Sequence, residues 1–222
     1  MYKKLSKGVK MKKFNLFSLL IIFIFVGCSK PMNNYSTYIF NPQTEHTQQL
    51  KNKYSNSLYN AYKNMHERGI PIQKAGLGFT SGEGCEPLCD NKPGDFWVYI
   101  ISPYEKPIST KKYNTINKRA EKVFKHKVQD IIYAVKYAPS EKLVKDKSLK
   151  GVLIGTNWPV YSSIGEYFEP KEYEEADIYI PYSVIEKYVK YEIYFSDLLC
   201  NSFIFTKNKE SKRKNIKLCK NN

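Results

Sequence analysis

Apolar side chains recur at helical spacing between Thr44 and Arg68. They fall three and four residues apart, so one side of a helix would be apolar and the other wet. Thr44 has a side chain suited to capping the start of this helix, and Gly69 and Pro71 are typical of its end. We therefore predict a helix over residues 44–68. Its apolar stripe consists of Leu50, Tyr54, Leu58, Ala61, Tyr62 and Met65.

A second stripe with helical spacing follows Pro107, with lysine and glutamate residues on the opposite side. Its members are Ile116, Ala120, Val123, Phe124 and Val128. The next stretch, from Asp130 to Ala138, fits two patterns. Its apolar residues alternate as in a strand, yet some of them also continue the helical stripe as far as Pro139. We predict a strand in this stretch.

Four short runs rich in β-branched and aromatic residues predict strands. They are Phe96–Ser102, Gly151–Val160, Ala176–Pro181 and Phe203–Phe205. Ser183 is placed to cap a short helix, and Ser196 one further turn. The segment between Gly76 and Gly94 is predicted to be a loop because it holds five glycines and two prolines. The pattern predicts an α+β fold, with a mainly antiparallel sheet of about four strands and two or three helices after an N-terminal tether and helix.

The chain begins with a basic segment and an apolar run that ends at a cysteine. Residues 1–27 hold six lysines and no acid, and Ser18 is the only polar residue among the eleven from Leu16 to Val26. A membrane-spanning helix needs roughly 20 apolar residues, so this run is short for a span. The segment has the parts of a secretory signal. An ordinary cleaved signal peptide and a short membrane anchor are two interpretations of this segment.

The four residues Phe25-Val-Gly-Cys28 resemble the lipobox of bacterial lipoproteins, although leucine is usual where Phe25 stands. The resemblance implies that residues 1–27 are removed and that the Cys28 thiol carries lipid. It places the protein in the bacterial cell envelope, with the bilayer as one partner. Ser29 replaces the aspartate that signals retention at the inner membrane. In a host with two membranes, the expected location is the periplasmic face of the outer membrane.

Processing at Cys28 changes the charge of the chain. Losing six lysines lowers the formal net charge from +15 to +9. Residues 28–43 are predicted to be a flexible tether, 44–206 a single domain, and 207–222 a basic tail with seven cations and one acid. A basic tail favours anionic envelope surfaces. No nucleic acid is expected as a partner outside the cytoplasm.

Four cysteines remain if Cys28 is lipidated, which is an even set for an oxidising compartment. We favour pairing Cys85 with Cys89 and Cys200 with Cys219, because both loops are short. The second bridge would tie the basic tail to the domain. The alternatives are two buried free thiols and a zinc site. A zinc site is disfavoured because the spacing lacks two close pairs. No metal and no cofactor are expected.

Acidic residues are concentrated between Glu166 and Asp177, where six carboxylates face only Lys171. Paired carboxylates hydrolyse glycans, and clustered ones bind calcium. The simpler interpretation is a solvated loop that faces the basic tail. The candidate binding residues of this segment are Glu166, Glu172 and Glu175.

Aromatic residues give a second indication of binding. Trp97 and Trp158, together with Tyr161, Tyr167, Phe168 and Tyr173, are candidates for stacking on sugar rings of peptidoglycan. Packing in the core is the alternative for each of them.

No catalytic motif is diagnostic in this chain, and its three histidines are scattered. The leading hypothesis is a membrane-anchored, non-enzymatic scaffold or docking component, such as a part of a secretion or conjugation assembly. Its partner would then be an envelope protein. The alternatives are a module that binds peptidoglycan or another glycan, and a peptidoglycan hydrolase that uses carboxylates in 166–177.

Overall fold

A computed structural model describes residues 35–83, 85–86, 88–90, 92, 94–137, 146, 148–207 and 213–219. The predicted signal segment and Cys28 lie outside the described residues, as do the start of the tether and parts of the basic tail. Within the described ranges, no helix has the length and apolarity needed to cross a membrane.

Six α-helices and one 3-10 turn, Tyr35–Tyr38, lie in the described residues. The helices are α1 Glu45–Lys53, α2 Ser55–Glu67, α3 Ile116–Tyr137, α4 Ile164–Phe168, α5 Tyr182–Val189 and α6 Phe195–Cys200.

Seven strands of the described chain form a single sheet. They are β1 Leu77–Thr80, β2 Phe96–Ile101, β3 Ile108–Ser109, β4 Leu149–Tyr161, β5 Glu172–Pro181, β6 Phe203–Lys207 and β7 Arg213–Ile216. The order across the sheet is β1-β2-β4-β5-β6-β7, and β3 pairs with the far end of β4. β4 is parallel to β2 and β3, and the other pairs are antiparallel. α3 lies in the long crossover that joins the parallel strands β2 and β4.

The predicted α+β class and the mainly antiparallel sheet are confirmed, but the sheet has seven strands in the described chain rather than about four. The additional strands are short. β1 lies inside the glycine-rich segment that was predicted to be a loop, and β3 has two residues. Such strands form because a longer neighbour supplies the pairing, so their own sequences carry little periodic signal.

The strand predicted for residues 130–138 is wrong, because α3 continues to Tyr137. Ile131, Ile132, Ala134 and Val135 are all buried among the helices and the sheet. The buried face of α3 continues without a break from Ala120 to Val135, and this outweighs the local alternation that suggests a strand.

The single helix predicted over 44–68 is two helices that meet at Tyr54. Thr44 caps α1 as predicted, and its side chain accepts from the Thr47 N–H. Tyr54 is buried and its hydroxyl donates to Asp146, a residue just before β4. The break therefore lies where this side chain is fixed to the sheet.

The two faces of the sheet differ in what covers them. Along β2, Val98 and Ile100 point to the face that packs on the helices, here called the helix-covered face. Trp97, Tyr99 and Ile101 point to the other face, here called the open face. The same alternation runs through β4, β5 and β6 because side chains of a strand alternate between faces. The open face has a cleft that polar side chains line.

The two predicted terminal segments contain residues that join the domain. Tyr35 packs against the ring of Tyr59 at 5.3 Å, and Ile39 makes a parallel bridge to Leu77. These residues belong to the predicted tether. In the predicted tail, β7 pairs with β6 along four residues, from Ile204 opposite Ile216 onward. Pairing and ring packing thus place both segments against the domain in the part described.

Candidate functional site

An apolar cluster forms the floor of the open face. Trp97, Leu153, Tyr179 and Phe205 come from β2, β4, β5 and β6, and they pack against Cys85 and Cys89. The ring of Tyr179 meets Trp97 at 5.2 Å and Phe205 at 5.8 Å, both edge to face. The cysteine loop therefore covers one half of this face and leaves the other half open.

Two glycines of β4 provide the space that this arrangement needs. A Cβ at Gly151 would overlap the backbone of Ile180 and approach the Trp97 ring to 2.7 Å. A Cβ at Gly155 would lie 3.2 Å from the Asp177 carboxylate. Because these positions have no side chain, the Trp97 ring packs closely against Gly151 and a depression remains beside Asp177.

Four charged side chains, here called the charged quartet, line the uncovered half: Glu175, Asp177, Lys207 and Arg213. Arg213 Nη2 lies 3.6 Å from Asp177 Oδ2, and Lys207 Nζ lies 3.5 Å from Glu175 Oε2. The Arg213 guanidinium also lies over the Phe205 ring, 4.3 Å from its centre, and donates to the Tyr179 hydroxyl at 3.2 Å. Three neighbouring strands thus bring both signs of charge together.

The protonation behaviour of this face follows from burial. Burial raises the pKa of Asp177, and Glu175 adds to the rise while Arg213 and Lys207 oppose it. Burial also raises the pKa of Tyr179, and that of Tyr99 to about 12. The two tyrosines therefore stay neutral and can donate or accept hydrogen bonds at any physiological pH.

The quartet and the floor enclose a cleft of about 490 Å³. The opposite wall comes from chain segments that precede and follow β1. Phe40, which precedes β1, packs on the Tyr99 ring at 5.5 Å. Gln73 and Glu83 add polar groups to that wall. The volume lies in the range of small-molecule sites, about 300–1,000 Å³.

A second exposed surface, here called the apolar tip, lies at the β4–β5 turn. It consists of Ile164, Tyr167, Phe168 and Tyr173, which are 80%, 44%, 75% and 59% exposed. The Tyr167 ring contacts Tyr161 at 5.1 Å and Phe168 at 5.2 Å, both edge to face. Large apolar side chains that cluster on a surface mark interaction sites more often than single ones do.

Known proteins give no guide to either surface. No family model matches the chain, and no curated protein or solved structure matches it significantly. The properties of the cleft and the apolar tip must therefore be argued from their own residues.

The acidic segment is divided between structural and exposed positions. Glu166 accepts from the N–H and the hydroxyl of Ser162 and from the Ser163 N–H, which lowers its pKa and fixes it in the capping box of α4. A carboxylate kept ionised in this way is unsuited to act as a proton donor in glycan hydrolysis. Glu172 is exposed at the start of β5, and Glu175 lies in the charged quartet. Only Glu175, of the three predicted candidates, lies in the cleft.

The two predicted tryptophans are buried on opposite faces of the sheet. Trp97 is 1% exposed in the floor of the open face, and Trp158 is fully buried on the helix-covered face. Neither ring has a free face for a sugar. The predicted aromatic residues that remain exposed are those of the apolar tip.

Sequence reasoning missed a buried ion pair beside Trp158. Arg119 on α3 donates twice to Glu174 on β5, at 2.7 and 2.6 Å, and the Trp158 indole donates to the same carboxylate at 3.0 Å. In the sequence, Arg119 is one of several cations on a predicted helix, and Glu174 is one of several acids between Glu166 and Asp177. The only signal in the sequence was that residue 119 is an arginine in a chain whose cations are mostly lysines. Arginine is the residue used for buried bidentate pairs.

The cysteines form the two pairs that the sequence favours. The Cys85–Cys89 bridge packs on the open face, with Cα atoms 5.4 Å apart. The Cys200–Cys219 bridge joins the end of α6 to the segment after β7, with Cα atoms 4.5 Å apart. The second bridge closes the loop that contains β6 and β7, and so holds Arg213 near the cleft.

Proposed function

We propose that this chain is a lipid-anchored protein of the bacterial cell envelope that docks a partner protein through the apolar tip. The observation that supports it is the exposure of Ile164 and Phe168, 80% and 75%, one helical turn apart on α4. Side chains at this spacing share one face of a helix. Large aromatic residues on a rigid surface are the usual anchors of protein interfaces.

The lipid anchor rests on the lipobox resemblance at Cys28. Replacing Cys28 with alanine is expected to leave an unprocessed precursor in the cells that produce the protein. The measurement is the mobility of the chain on a gel, with radiolabelled fatty acid as a second readout. Normal cleavage together with normal membrane retention of Cys28→Ala contradicts the anchor.

Docking is tested by a photo-crosslinking phenylalanine analogue placed at Phe168 of the full-length chain in intact cells. Tyr194 is the matched control, because it is 82% exposed but lies before α6, away from the tip. We expect a discrete protein adduct from position 168 and none from position 194. No adduct from 168, or the same adducts from both positions, contradicts docking through the tip.

A glycan-binding module is the second candidate, and the packing of Tyr167 favours it. This ring is held between Tyr161 and Phe168 and is still 44% exposed, so stacking a sugar on it would cost little conformational entropy. Sedimentation of the protein with purified sacculi tests this candidate. Co-sedimentation that is lost in Tyr167→Ala supports it, and co-sedimentation that this change leaves intact contradicts a role of the tip in it.

A further inference from the structure

The charged quartet is arranged across neighbouring strands in a regular pattern. Glu175 is opposite Lys207, and Lys207 is opposite Arg213, so these three form one row across β5, β6 and β7. Asp177 lies in the next row, opposite Phe205. The two cations therefore lie on the β6–β7 side, and the two carboxylates lie on β5 nearer the middle of the sheet.

The pairs within the quartet are long. Charge-assisted hydrogen bonds between nitrogen and oxygen usually measure about 2.7–2.9 Å. The Lys207–Glu175 and Arg213–Asp177 separations are 3.5 and 3.6 Å, and all four side chains are partly exposed. Each charge is thus balanced by its neighbour but keeps bonding capacity toward the cleft.

One hydrogen-bond donor of Arg213 is not satisfied by the described residues. Its Nε is buried and has no hydrogen-bond partner among the described residues. Buried polar atoms without a partner are uncommon in proteins and require an explanation. A carboxylate that bound the guanidinium sideways would contact Nε and Nη2 together, because the planar fork of arginine fits two carboxylate oxygens.

The floor of the cleft suits a short apolar part between two charged ends. Tyr99, Leu153 and Tyr179 provide it, and Gly155 leaves a depression next to the Asp177 carboxylate. At about 490 Å³, the cleft has room for an amino acid or a short peptide.

We propose that this cleft binds a compact zwitterion, either a free amino acid or a short peptide with both charged ends. Its carboxylate binds Arg213 and Lys207, and its ammonium group binds Asp177 and Glu175. The quartet holds two cations and two carboxylates, and Glu83 adds a third carboxylate at the opposite wall, so both charged ends of a zwitterion meet side chains of opposite charge. A zwitterion replaces each long internal contact with a short one. This site requires neither the lipid anchor nor docking through the apolar tip.

The first experiment titrates alanyl-alanine into the purified full-length protein and measures the heat of binding. The matched ligands are N-acetyl-alanyl-alanine and alanyl-alanine amide, each of which lacks one charge. We expect each blocked form to bind at least about tenfold more weakly than the free dipeptide. Equal affinity of the free and blocked forms overturns the proposal, and so does the absence of heat with both alanyl-alanine and free alanine.

Two variants assign the ends of the ligand. In Arg213→Gln the preference for the free dipeptide over its amide is expected to shrink, because only Lys207 remains for the carboxylate, while acetylation still weakens binding. In Asp177→Asn the preference for the free over the acetylated form should shrink, because only Glu175 remains for the ammonium group, while amidation still weakens binding. Glu186→Gln and Lys190→Gln are the controls, because they remove an exposed ion pair on α5 outside the cleft. Loss of both preferences in either cleft variant, or any loss in the controls, overturns the assignment.

Because the Arg213 guanidinium packs on the Phe205 ring, variants of Arg213 must be shown to be folded. Arg213→Lys keeps the charge, and we expect it to retain the preference for a free carboxylate. Alanine alone separates the two sources of the ligand. Tighter binding of the dipeptide assigns the site to peptides, and equal binding assigns it to free amino acids. A folded Arg213→Lys variant without any preference for the carboxylate contradicts the proposal.

Discussion

The helix-covered face and the open face are built on the same strands but are held together differently. On the helix-covered face, small β-branched residues such as Val98, Ile154 and Ile178 pack under helices and are almost fully buried. On the open face, Trp97 and Tyr179 are covered by a five-residue cysteine loop, and the remainder is charged. The first face derives its stability from area buried under helices, and the second from a crosslink and a few large rings.

This difference separates stability from binding capacity. The helix-covered face buries one ion pair that is fully hydrogen-bonded, between Arg119 and Glu174. The open face has two long ion pairs that remain partly exposed. Satisfied buried groups fix a structure, whereas incompletely bonded groups in a cleft are available to a ligand. Changes on the two faces should therefore affect different properties.

The largest effect on stability is expected from Arg119→Met. It leaves the Glu174 carboxylate buried without its cation, since the two side chains are only 9% and 14% exposed. Breaking such a pair destabilises proteins by about 3–5 kcal/mol. Urea unfolding followed by circular dichroism measures this loss.

The control for Arg119→Met is Lys190→Met, which breaks an exposed pair with Glu186 and should change stability far less. Adding Glu174→Gln to Arg119→Met removes the unpaired charge and keeps an acceptor for the Trp158 indole, so stability should partly recover. Similar losses for Arg119→Met and Lys190→Met would falsify the interpretation of this pair as buried and structural.

The sequence determines much of the helix-covered face but little of the open one. The apolar stripe of α3 and the strands around Val98 and Ile178 can be predicted from the sequence. Their apolar residues recur with the period expected for an element that buries one side. Asp130 to Ala138 is misread because a short segment of a helix also alternates when tyrosines lie on its margin. β7 is not readable, since Arg213 and Lys214 form a strand only where β6 offers its edge.

The two disulfides should stabilise the chain unequally. The loop closed by Cys200–Cys219 is longer than that closed by Cys85–Cys89, with sequence separations of 19 and 4. Loop-closure entropy gives about 3 kcal/mol for the longer loop and about 2 kcal/mol for the shorter one. Chemical unfolding of Cys200→Ala with Cys219→Ala, and of Cys85→Ala with Cys89→Ala, checks this order.

The two disulfides also differ in what they hold. Removing the Cys200–Cys219 bridge should expose the amides of β7 to hydrogen exchange, because this strand has no other neighbour than β6 in the described sheet. Removing the Cys85–Cys89 bridge should instead increase solvent exposure of Trp97, which its fluorescence reports. An unchanged exchange rate in β7 would contradict the role of the longer bridge.

Two aspartates on the two faces should respond to pH in opposite directions. Asp146 accepts from Lys53 at 2.8 Å, from Tyr54, and from the N–H and hydroxyl of Ser148, and these bonds lower its pKa below the ordinary 3.8. Its stabilising contribution is complete above that value and is lost as pH falls through the lowered pKa. Asp146→Asn should therefore destabilise the protein at pH 7 and reduce its loss of stability in acid.

The contribution of Asp177 to stability should change with pH in the opposite direction. Its pKa is raised above the ordinary 3.8, chiefly by burial, so the folded state holds this proton more tightly than the unfolded state. That contribution is complete below 3.8 and is lost as pH rises through the raised pKa. Asp177→Asn, which imitates the protonated form, should be at least as stable as the parent at pH 7. Unfolding curves between pH 2 and 7 test both cases, because the Asp146 change falls below pH 3.8 and the Asp177 change above it. The contrast would be contradicted if the stability difference between parent and variant changed with pH in the same direction for both aspartates.

The candidate site is less readable from sequence than the fold. Glu175 is predicted within the acidic segment, but the cations that share its cleft, Lys207 and Arg213, come from the predicted basic tail. Trp97 and Trp158 attract attention as rare, large side chains, and both prove to be buried. Composition shows that aromatic and charged residues are abundant, whereas the strand register decides which of them share a face.

The smallest effect on stability is expected from Phe168→Ser in the apolar tip. Phe168 is 75% exposed, so its removal uncovers little that the fold had buried. Surface changes of this kind usually alter stability by no more than about 0.5 kcal/mol. Phe124→Ala is the counterpart on the helix-covered face, where this fully buried ring should contribute about 3–5 kcal/mol. Urea midpoints measure both, and a loss at Phe168 as large as that at Phe124 would show that the tip is part of the core.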